Sequence, residues 1–114
     1  MAKRTIESRQ RSEKKRLMAV FKGADSNTMA IATPLIEQAA FMRCQLDDLQ
    51  ELIIADGVVE EYDNGGGQTG KKASVAVVTY NQMVKQYNII SKRIEDLKPK
   101  DTISESKLDR FMDM

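Results

Sequence analysis

The residues with the most chemical character form one glycine-rich stretch, Glu60-Glu61-Tyr62-Asp63-Asn64-Gly65-Gly66-Gly67-Gln68-Thr69-Gly70-Lys71-Lys72. It contains Gly65-x-x-x-x-Gly70-Lys71, the spacing of a phosphate-binding loop. In such a loop backbone amides cradle phosphates, the lysine reaches them, and a following Ser or Thr holds magnesium. Here Lys72 follows Lys71, so the magnesium ligand is missing. The loop also needs a buried strand before it, and Val58-Val59-Glu60-Glu61-Tyr62 carries two glutamates. The stretch therefore reads as a chain reversal. Each of its consecutive glycines costs about 1 kcal/mol in a helix relative to alanine, so no helix passes through it.

Other chemistry is sparse. There is no histidine, which removes the commonest general base and metal ligand. Cys44 is the one cysteine; it fits a reducing compartment and reads as a small apolar residue rather than a nucleophile. Asp47-Asp48 and Glu60-Glu61 are adjacent, and adjacent helical side chains do not face each other. With no tryptophan, three tyrosines and three phenylalanines, a large aromatic pocket is not expected. These absences point away from an enzyme, and from any cofactor or metal centre.

Charge is the stronger signal. The net value of +1 conceals blocks. Residues 1–22 carry eight Lys/Arg against two acids, and residues 23–70 one against nine. Residues 71–100 carry seven against two, and 101–114 two against four. Segregation on this scale suggests contact with a charged partner, with other copies of the chain, or with both. In the first block, Lys3, Arg4, Arg9, Arg11, Lys14, Lys15 and Arg16 are candidates for phosphate contact. The other reading of the block is a solvated terminus, since no apolar residue lies between Ile6 and Leu17.

The elements around these residues are helical. A length of 114 residues fits one domain with tails. No apolar run reaches the roughly 20 residues of a membrane span. The start, Met1-Ala2-Lys3-Arg4, leads into charged sequence, so no signal peptide is expected. Residues 1–28 form a basic arm or helix with a short apolar patch (Leu17, Met18, Val20, Phe21) and a linker rich in turn and capping residues. Thr33-Pro34 is a good helix start, with an earlier start near Thr28 also open. Leu35, Ala39, Met42, Leu46, Leu49 and Ile53 then recur at 4, 3, 4, 3, 4, a heptad seam ending at Asp56-Gly57. Val58-Val59-Glu60-Glu61-Tyr62 is an extended piece or a small hairpin arm. Ser74 caps a second helix with a stripe of Val77, Tyr80, Val84, Tyr87, Ile90, Ile94 and Leu97, stopped by Pro99.

The expected fold is therefore all-α. A long antiparallel αα-hairpin occupies 29–99, with its glycine-rich connection at 57–73. A hairpin of two helices has one shared seam and no third layer, so its surplus apolar positions imply a homo-oligomer. The positions assigned to contacts between copies are Leu35, Met42, Leu46, Leu49, Ile53, Tyr80, Val84 and Tyr87. The tail 100–114 places Leu108, Phe111 and Met112 at i, i+3, i+4 on a short helix. It reads either as a frayed end or as a docking peptide for a partner's groove.

Several residue runs also carry a resemblance. Ala39-Ala40-Phe41-Met42-Arg43, Leu46-x-x-Leu49-Gln50, Gly57-Val58-Val59-x-Glu61-Tyr62-Asp63-Asn64-Gly65-Gly66-Gly67-Gln68-x-Gly70 and Tyr80-Asn81-x-x-x-Lys85-x-Tyr87 together resemble the phage terminase small subunits, over about residues 34–99. The family often opens the second helix with Asn-Pro, where this chain has Ser74-Val75. The resemblance implies a non-catalytic packaging factor in the cytoplasm of an infected bacterium. Such subunits assemble into rings, engage double-stranded viral DNA and bring it to the terminase large subunit, which holds the ATPase and nuclease. It would give DNA backbone contact to the arm with Lys71 and Lys72, and large-subunit docking to the tail. The alternative is a cytosolic helical adaptor that pairs with a protein and ignores DNA.

Overall fold

The computed structural model describes residues 5–63 and 65–99. Its elements, in order, are helix α1 (Ile6–Ala19), helix α2 (Ser26–Asp56), strand β1 (Val59–Asp63), strand β2 (Thr69–Ala73) and helix α3 (Val75–Leu97). The chain is thus mostly helical with a two-stranded antiparallel sheet, not purely α. The tail with Leu108, Phe111 and Met112 lies outside the described residues, as do Lys3 and Arg4.

Each helix begins at a side-chain cap. Thr5 Oγ1 accepts from the Ser8 amide at 3.1 Å and opens α1. Asp25 Oδ1 accepts from the Thr28 amide at 2.7 Å and opens α2. Ser74 Oγ accepts from the Val77 amide at 3.1 Å and opens α3. Such caps satisfy amides that the first helical turn leaves without partners.

The cap at Asp25 corrects the expected start of α2, which begins at Ser26 and runs through Pro34. Proline at 34 has no N–H to donate, so one helical bond is lost there. The Thr33 hydroxyl donates to the Met29 carbonyl at 2.7 Å in the same turn. With 31 residues, α2 is about 46 Å long and serves as the backbone of the molecule.

The helical hairpin of α2 and α3 is as the heptad spacing predicts. Ala32, Ile36, Ala39, Ile90 and Ile94 form the core with Phe21, and Leu35, Met42, Tyr87 and Leu97 pack against it. The three alanines Ala32, Ala39 and Ala40 are at most 2% exposed. Small residues at these points let neighbouring helices approach closely.

The expectation of no third layer is wrong. Helix α1 lies along α2, although no residue of α1 itself is buried. Charge holds most of it: Arg9 pairs with Asp48 at 2.8 Å and Lys14 with Glu37 at 2.9 Å. At its end Leu17 and Met18 pack on the core, and Phe21, just past the helix, is 2% exposed. Gly23, at φ 87°, turns the chain toward α2 in a conformation that glycine adopts without strain.

At the far end of the helices the glycine-rich stretch forms a β-hairpin. Its register pairs Val59 with Ala73, Glu60 with Lys72, Glu61 with Lys71, Tyr62 with Gly70 and Asp63 with Thr69. Asp63 Oδ1 accepts from the Gly65 amide at 2.9 Å, and Gly65 and Gly67 have φ of 91° and 74°. The Ser74 amide donates to the Val58 carbonyl at 2.9 Å, which ties the hairpin to the start of α3.

Candidate nucleic-acid interface

The cations of the first block divide by direction. Arg9 faces inward: besides Asp48, its Nη2 donates to the Cys44 carbonyl at 3.3 Å. The hydrogen bond it donates to the Asp48 carboxylate raises its pKa, so the guanidinium stays charged at this contact. Lys14 also points to α2. Arg16 folds back on Glu13 of its own helix. Arg11 and Lys15, one turn apart, are exposed and have no carboxylate in ion-pair range among the described residues. Lys22 joins them just beyond the helix, a cation that sequence reasoning leaves out of the candidate set. Of the five arm cations among the described residues, two thus serve as anchors, one pairs within α1 and two face solvent unopposed.

This division has a simple cause. The acids of the second block lie largely on α2, and the basic helix neutralises part of that face by lying on it. The anchors hold α1 against a rigid support, so Arg11 and Lys15 stand at a fixed spacing of about 6 Å along the helix. Fixed cations at such spacing suit the phosphates of a nucleic-acid backbone.

Helix α3 adds a second exposed line, whose lysines fall off the apolar stripe and outside the candidate set. Asn81, Lys85, Asn88 and Lys92 are all exposed and recur at 4, 3, 4. The signal was present in the spacing, but the apolar stripe of the same helix dominates its pattern.

Lys71 and Lys72 lie on β2, and both are exposed. Lys72 Nζ sits 3.4 Å from Glu60 Oε1 across the strands and 6.0 Å from the centre of the Tyr62 ring. The loop before Lys71 joins two strands, so it has no helix N-terminus behind it to receive a phosphate. The Gly65–Gly70 spacing is that of a hairpin turn.

Gly70 has its own reason. A Cβ there would stand 2.7 Å from the Tyr62 ring, so glycine lets the ring lie across the opposite strand. The Tyr62 and Gly70 positions are therefore one packing unit.

The positions assigned to contacts between copies differ in how far the single chain already buries them. Leu46 is fully buried inside a single chain, and Leu35, Met42 and Tyr87 pack on the intrachain core. Leu49, Ile53, Tyr80 and Val84 are half-buried on the helical hairpin. Tyr80 Oη accepts from Gln50 Nε2 at 2.9 Å, and the Arg43 guanidinium stands 5.3 Å from the centre of the Tyr87 ring. The heptad seam is thus closed by α2 and α3 of one chain. The large apolar side chains left exposed are others, including Ile31, Phe41 and Ile89. Phe41 and Ile89 line an open groove between α2 and α3 with Pro34 and Arg93.

Cys44 is buried, and burial pushes its thiol pKa up, which leaves it a poor nucleophile. Among the described residues no cluster of His, Cys, Asp and Glu has the geometry of a metal site. No described helix is long and apolar enough to cross a membrane. No family model, curated protein or solved structure matches the chain.

Proposed function

We propose that the chain is a DNA-packaging factor of the terminase small-subunit kind. In this reading it oligomerises, engages double-stranded DNA through its backbone, and presents it to a large ATPase and nuclease subunit without catalysing a reaction itself. The observation that carries the reading is the split of cations on α1, where Arg9 and Lys14 fasten the helix and Arg11 and Lys15 face outward. The motif likeness around Tyr62–Gly70 and the exposed apolar residues Phe41 and Ile89 support it further. Among the described residues no element is a base-reading helix-turn-helix, so phosphate contact and DNA shape carry recognition in this reading.

Titration of a labelled duplex at several salt concentrations tests this reading. Each phosphate contact contributes about 0.9 to the slope of log affinity against log salt. The Arg11→Ala, Lys15→Ala double variant is expected to reduce the slope by about 2. Binding with an unchanged slope would place the DNA elsewhere. The groove beside Phe41 and Ile89 favours a second reading, a helical adaptor for a protein partner. That reading gains if the wild-type chain ignores DNA altogether.

A further inference from the structure

The two strands of the β-hairpin differ in charge. Strand β1 carries Glu60, Glu61 and Asp63, whereas β2 carries Lys71 and Lys72. The sheet has two strands, so the outer edge of each is unpaired among the described residues. A lone two-stranded hairpin is marginal in water, and a free edge is a template for another strand. Lysine on edges often serves to prevent such pairing. That protective pattern would put lysine on both edges, and here one edge is acidic.

The root of the hairpin is apolar and uncovered. Ile54 is 84% exposed, and Val58, Val59 and Val75 are at least half exposed. Val58 precedes the first strand and Val59 opens it, Val75 opens α3, and Ile54 lies in the last turn of α2.

We propose that the hairpin edges join copies of this chain head to tail, with β2 of one copy pairing with β1 of the next. This rests on the oligomeric reading above and specifies its contact. In the hairpin, Glu60 faces Lys72 and Glu61 faces Lys71. The same register between copies places Lys71 and Lys72 on both sides of every Glu60-Glu61 pair. Opposite charges across strands are favourable, and like charges directly opposite are unfavourable. A two-fold pairing of like edges would set glutamate against glutamate or lysine against lysine. Charge thus selects the heterologous contact, which closes into a belt when the rotation closes. With the hairpins parallel to the rotation axis, β2 of one copy and β1 of the next are antiparallel, as the hairpin itself is. The apolar root then meets that of the neighbour.

Site-directed cross-linking tests this on full-length chains in a Cys44→Ala background. One chain carries Glu61→Cys and a second carries Lys71→Cys, so no disulfide can form within a chain. After mixing and mild oxidation, linked pairs of one Glu61→Cys and one Lys71→Cys chain are expected at least tenfold above pairs of identical chains. A second set, Glu60→Cys with Lys72→Cys, covers the alternate hydrogen-bonding phase of the ladder, where disulfide geometry differs. Native mass spectrometry before oxidation reports the assembly. Oligomers with cross-links between identical chains, or with none in either set, overturn the head-to-tail contact while the oligomeric reading stands. Monomers alone overturn both.

Discussion

Arg9 on α1 reaches Asp48 on α2 at 2.8 Å and also donates to the carbonyl of Cys44. The pair spans 39 residues and makes the basic arm a layer of the fold. Both side chains keep partial solvent access, at 21% and 37%, so screening limits the worth of the contact. Arg9→Ala is expected to cost about 1 kcal/mol, through a charge-assisted hydrogen bond weakened by water. Hydrogen exchange is expected to speed up along α1 and leave α3 unchanged. Equal acceleration in both helices would show that α1 does not open as a separate unit.

Leu46 is fully buried within one chain, so its substitution acts on the fold. Leu46→Ala removes packed methyl groups from the α2 seam and is expected to cost about 3 kcal/mol. Urea unfolding measures this. A midpoint equal to that of wild type would mean that the seam is not closed as described.

Asp25 caps α2, and the hydrogen bond from the Thr28 amide holds its carboxyl below the ordinary value of 3.8. A carboxyl with a depressed folded pKa contributes stability above its ordinary value, and that contribution is lost as pH falls through the folded pKa. Asp25→Asn keeps an acceptor at the cap but does not titrate. Wild type is therefore expected to melt above the variant at pH 7, with the gap closing as pH falls below the ordinary value of 3.8 and through the depressed folded pKa. A gap independent of pH would remove the titrating cap from the account.

The fit of Tyr62 over Gly70 predicts a local response. Gly70→Ala puts a methyl 2.7 Å from the ring, and the ring, 43% exposed, has room to swing outward. Stability is expected to change by less than about 0.5 kcal/mol, as for most surface substitutions. The ring-current shift on backbone protons at position 70 is expected to disappear. Retention of that shift would show that the methyl is accommodated without moving the ring.

The helical hairpin is legible in the sequence because Ala39, Leu46, Ile90 and Ile94 sit on stripes of helical period and are buried as such. The third layer is not, because α1 is held mainly by Arg9 and Lys14, and ion pairs between distant segments leave no period. Thr33-Pro34 misleads for a related reason: a local start signal loses to the stronger cap at Asp25. The cations are visible as a group, but which face outward depends on where α2 places Glu37 and Asp48. The particular sequence of the turn is likewise opaque until the register sets Tyr62 opposite Gly70.

Native mass spectrometry of the full chain, with and without a DNA duplex, tests the central claim most directly. A multimer of one defined stoichiometry that takes up duplex in salt-dependent fashion is expected. A monomer whose mass is unchanged by DNA at low salt would contradict it.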